Sequence, residues 1–129
     1  MPQGFRYVFL LHMIVAGVVG LLLLIVPGRV LPWVNWEDVA PITSRLLGAA
    51  LVALAWGSFR SLLAGGWREA AFVAEMGAVS SFLACAGLLR HLIQPGRWSL
   101  TAWIALAVFA VFGFAFLAMI ISGRLTARK

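Results

Sequence analysis

Four apolar runs, at 7–26, 43–63, 70–93 and 99–121, leave most of the charge to the stretches between them and at the two ends of the chain. A helix needs about 20 apolar residues to cross the hydrocarbon core of a bilayer, and each run meets that length. The runs close on helix-ending chemistry: Pro27-Gly28 after the first, Gly65-Gly66 after the second and Pro95-Gly96 after the third. The later connections are short, so the second, third and fourth spans form antiparallel hairpins. The first connection, 27–41, is longer and carries Pro27, Pro32 and Pro41 together with Trp33 and Trp36. Tryptophans settle among headgroups, so this segment is expected to lie on the membrane surface, with one helical turn near 33–39. The pattern predicts a single all-α domain over 1–129, an integral membrane four-helix bundle with antiparallel neighbours.

Composition strengthens this reading. With 64% hydrophobic and 11% charged residues, 129 residues could not hide their apolar surface in one soluble core. The first run is too long for a signal-peptide core and no A-x-A-like site follows it, so it reads as a helix of the mature protein. The net charge of +6 does not point to nucleic acid, because the basic residues stand singly at span edges. Their distribution favours both termini inside. Arg6, Arg60, Arg68, Arg124, Arg128 and Lys129 then face the cytoplasm, against Arg29, Arg45, Arg90 and Arg97 outside. A faint repeat, Pro27-Gly28-Arg29 against Pro95-Gly96-Arg97, fits either duplication or chance.

In lipid, close backbone approach and interhelical hydrogen bonds replace apolar burial as the force that joins helices. Small residues therefore mark the expected interfaces. These are Ala16 and Gly20 in the first span, Ala49, Ala53 and Gly57 in the second, and Gly77 and Ser81, continued by Cys85, in the third. The second and third helices are expected to pack most closely. In the fourth span Phe109, Phe112 and Phe116 share a face, which suits lipid, another membrane subunit or a flat cofactor. With Trp33 and Trp36 they form the expected lipid or partner surface.

Ionisable groups inside spans are the candidates for chemistry. Arg6, Arg45, Arg60 and Arg90 lie near span ends and can snorkel to headgroups. His12 and Glu75 each lie five residues inside their spans, roughly 8 Å below the same boundary at about 1.5 Å per residue. An imidazole–carboxylate pair, with Arg60 as a second partner, would serve either as interhelical glue or as a proton or binding site. His12 and His91 sit near opposite boundaries and cannot ligate one haem, which leaves His12 as a lone candidate axial ligand to a chlorin. Otherwise no cofactor beyond bound lipid is expected, and no metal, since two distant histidines with one buried acid build no transition-metal site. The sequence shows no Cys-x-x-Cys, phosphate loop or Ser-His-Asp set. Cys85, the single cysteine, allows no internal disulfide.

Pro27-Gly28 after the first span, Arg45-Leu-Leu-Gly48-Ala-Ala at the start of the second and the aromatic-rich closing helix together resemble the small bacterial four-helix membrane proteins of the DoxX-like kind. The resemblance covers nearly the whole chain and implies the four-helix layout. Small multidrug exporters are of similar size but carry their working glutamate in the first helix, where this chain has His12. The expectation is a non-catalytic accessory subunit of a larger complex, respiratory or photosynthetic in type, in a bacterial inner membrane among lipids and other integral subunits. The alternative is a small transporter or lipid-binding protein that uses Glu75 and His12.

Overall fold

The computed structural model describes residues 2–33, 41–94 and 99–126, and those residues form five helices without strands. They are α1 (Gln3–Ile25), α2 (Pro27–Trp33), α3 (Pro41–Ala64), α4 (Trp67–Leu92) and α5 (Leu100–Thr126). All but α2 are long and apolar enough to cross a membrane, so the chain is a multi-pass membrane-type helical bundle. The helical turn expected near 33–39 lies, apart from Trp33, outside the described residues; the stretch just before it forms α2. Pro27 occupies its first position, where a missing N–H costs nothing. The side chain of Trp33, all of Trp36 and the Pro95-Gly96-Arg97 end of the repeat lie outside the described residues.

Helix ends follow the local chemistry. Val26 leaves helical geometry just before Pro27, its N–H still bonded to the Leu22 carbonyl at 3.0 Å. Gly65 closes α3 with φ +69°, a left-handed conformation that glycine adopts without a Cβ penalty. Extended Gly66 then starts α4 at once, so α3 and α4 are joined by two residues. Glu69 in the first turn of α4 and Arg90 and His91 in its last complement the helix dipole.

The four long helices form a ring in the order α1, α3, α4, α5, with α1 beside both α3 and α5. The extensive interfaces are α1 with α3 and α4 with α5, whereas α3 and α4 share a short one. This corrects the expectation that the second and third spans pack most closely. The two-residue turn holds α3 and α4 together at one end only, where a Cβ on Gly57 would lie 3.3 Å from Val73.

Glycine sets the α1–α3 contact. A Cβ on Gly20 would stand 2.9 Å from the Gly48 carbonyl oxygen, and one on Gly48 2.6 Å from that of Gly20. The two backbones touch, and Leu23, Leu31, Leu51 and Ala55 close around the crossing. Between α4 and α5 the small residues do something else: they receive rings. Phe116 lies against Gly77, and the Trp67 indole covers Gly123. Phe9, Phe112, Phe116 and Met119 fill the space beside Ala70, Ala74 and Ala78.

Two faces assigned from sequence are therefore corrected. Ala16, Gly20, Gly77 and Ser81 are buried as expected, but Ala49 and Ala53 point outward and Gly57 is half-buried. The inward row of α3 is Ser44, Gly48, Leu51, Ala55 and Ser58, one position round the helix. Phe112 and Phe116 are core residues rather than a lipid or partner face, and Phe109 is half-buried. Phe112 and Phe116 pack with Phe9 of α1 against Ala70, Ala74 and Ala78 of α4, whose small side chains leave room for the rings.

Candidate functional site

The polar centre of the bundle is His12. Its position on α1 continues the inward stripe Phe9, His12, Ala16, Gly20 and Leu23, so the imidazole turns into the ring of helices. On α3, Ser58 lies at the end of the inward row and is fully buried. His12 Nδ1 and Ser58 Oγ are 2.8 Å apart, a hydrogen bond that crosses the α1–α3 interface. Phe112 and Phe116 of α5 meet the imidazole edge-on, each with centroids 5.0 Å away. Phe9 packs on Phe116 at 5.8 Å. One side chain thus connects three helices: a hydrogen bond to α3 and ring contacts to α5.

The expected association of His12, Glu75 and Arg60 is not formed. Glu75 pairs instead with Arg124 of α5, with 3.0 Å between Oε1 and the guanidinium nitrogen. That pair is exposed, at 48% for the Glu75 side chain and 72% for Arg124. Helix azimuth explains the outcome. Ala70, Ala74, Gly77 and Ala78 point inward, and Glu75 follows Ala74 by about 100° of rotation, toward α5. Also, α1 and α4 stand diagonally in the ring rather than adjacent. Arg60 is exposed on α3 and joins no ion pair with Glu75 among the described residues.

Ser58 is the residue that sequence reasoning missed. The signal was available in the spacing Ser44, Gly48, Leu51, Ala55, Ser58, alternately four and three apart, which traces a single helix face. Two further serines bond within their own helix, and the single cysteine reaches from α4 to α5. Ser61 Oγ donates to the Gly57 carbonyl at 3.0 Å, Ser80 Oγ to that of Gly77 at 3.1 Å, and the Cys85 thiol to that of Leu106 at 3.8 Å. Among the described residues no buried side-chain nitrogen or oxygen lacks a partner, and no three His, Cys, Asp or Glu gather as a metal site. A chlorin ligated by His12 would have to displace the rings that flank it.

The arrangement is that of a tie between helices. Ser58→Ala is expected to destabilise the bundle by about 1 kcal/mol, within the range for interhelical hydrogen bonds in bilayers. A double-mutant cycle with His12→Leu should show coupling of about the same size. Zero coupling in detergent unfolding would mean that the hydrogen bond does not hold α1 to α3.

No protein-family model, curated protein or solved structure matches the chain.

Proposed function

We propose that this chain is a non-catalytic integral membrane subunit that packs against other membrane proteins in a larger complex of the respiratory or photosynthetic kind. The membrane is a bacterial inner membrane, and both termini face the cytoplasm, in keeping with the Lys and Arg excess on that side. The observation that carries this reading is the outward row Ala49 and Ala53 on α3. Lipid chains give such small residues no packing advantage, whereas a neighbouring helix can approach closely over them. Within this bundle, Gly20 and Gly48 show the same device with its partner in place. The internal pairing of His12 with Ser58 further supports a scaffold, since the polar group of the core is already engaged.

The test separates assembly from folding. In membranes of the native host, the double variant Ala49→Leu, Ala53→Leu should leave the thermal midpoint of the purified chain unchanged. On a native gel after mild extraction it should shift the chain from complex size to its own size. Wild-type and variant migrating alike would end the proposal. A fusion reporter after Lys129 that works only outside the cytoplasm would reverse the orientation. The transporter or lipid-binding alternative joined Glu75 and His12 in one site. With the two on separate partners, the subunit reading is favoured.

A further inference from the structure

At the end of the bundle where α1 begins and α3 ends, a groove of about 370 Å³ runs between Gln3, Arg6, Tyr7 and Leu10 of α1 and Leu62 of α3. Its α1 residues recur at spacings of three, one and three, so they form one stripe down consecutive turns. The stripe is ordered by chemistry. Gln3, Arg6 and Tyr7, an amide, a guanidinium and a phenol, stand at the helix end, Leu10 lies deeper in the span, and Leu62, two residues before the end of α3, forms the apolar wall beside them. Side chains lean toward the N-terminus of their helix, so on α1 the polar three reach toward the membrane boundary. Arg6 is exposed and makes no ion pair among the described residues, and no carboxylate is among the described lining residues.

We propose that this groove binds an anionic phospholipid, with its phosphate at Arg6 and an acyl chain along Leu10 and Leu62. This does not depend on the subunit reading. The polar-to-apolar order matches a lipid lying alongside α1. Arginine presents a planar fork of donors that suits phosphate oxygens, and Gln3 and Tyr7 add neutral donors. The lining also selects among lipids. A zwitterionic headgroup would bring an ammonium group with no described carboxylate to receive it, whereas phosphatidylglycerol brings the phosphate charge alone.

Native mass spectrometry of the full chain in detergent, titrated with phosphatidylglycerol or with phosphatidylcholine of matched chains, tests this directly. The wild type should retain phosphatidylglycerol preferentially. Arg6→Gln should lower that retention roughly five-fold, the factor carried by about one arginine–headgroup contact, and leave phosphatidylcholine unchanged. Leu10→Trp, which fills the apolar half without altering charge, should lower it as well. Arg60→Gln, an exposed arginine at the same end but not lining the groove, should not. Equal loss in Arg60→Gln, retention in Leu10→Trp, or no lipid preference in the wild type would each overturn the proposal. Displacement of the lipid by millimolar inorganic phosphate would also overturn it, by making the site one for free phosphate.

Discussion

Gly48→Ala is expected to destabilise the bundle by about 2 kcal/mol, while Ala49→Leu, one residue along, leaves it within about 0.5 kcal/mol of the wild type. The contrast rests on what each new atom meets. A Cβ on Gly48 would lie 2.6 Å from the Gly20 carbonyl oxygen and 2.7 Å from the Leu24 nitrogen. Both are backbone atoms, so no rotamer change relieves the clash, and α1 and α3 must separate. Separation also loosens the contacts along the same interface, at Gly17 with Ala55 and at His12 with Ser58. Alanine's better helix propensity returns about 1 kcal/mol, which is too little to offset this. Gly20→Ala should act alike, and the double variant should cost less than the sum because the two substitutions break one contact. Thermal or SDS unfolding in mixed micelles reads all four variants against the wild type. A Gly48→Ala variant as stable as Ala49→Leu would remove the glycine crossing from the account.

That pair of neighbours also shows where the sequence was legible. The spans and their ends were readable because a bilayer imposes a length on apolar runs, and Gly65 and Pro27 stop helices for local reasons. Azimuth was not. In a soluble helix the polar face marks the outside, but here both the lipid face and the core face are apolar, and that contrast is missing. Small residues were the remaining guide, and they occur on two faces of α3. The row at 49, 53 and 57 looked as continuous as the row at 44, 48, 51, 55 and 58. Only the buried serines distinguish the second. For His12 and Glu75, equal depth said nothing about adjacency, and the order of helices round the ring placed α1 and α4 on a diagonal.

Phe116→Ala is expected to be strongly damaging, and Phe114→Ala to be nearly silent. The two residues lie two apart on α5, yet Phe116 is fully buried and Phe114 is 64% exposed. In a soluble protein, Phe→Ala in a core costs about 3–5 kcal/mol, part of it for transferring apolar surface from water. A membrane bundle lacks most of that transfer term, because lipid is as apolar as the core. What remains is the void. At about 24 cal/mol per Å³, a residual cavity on the order of 100 Å³ costs about 2 kcal/mol. Collapse is hindered here, since the Phe116 ring lies against Gly77, Phe9 and His12, on α4 and α1. No single neighbour can move in without leaving another. Phe114 has Phe82 beside it at 5.6 Å but otherwise faces outward, where lipid chains take its place. Unfolding midpoints in the same detergent should therefore rank the wild type and Phe114→Ala together, well above Phe116→Ala. Near-equal midpoints for the two variants would return Phe116 to the lipid face and dissolve the aromatic core around His12.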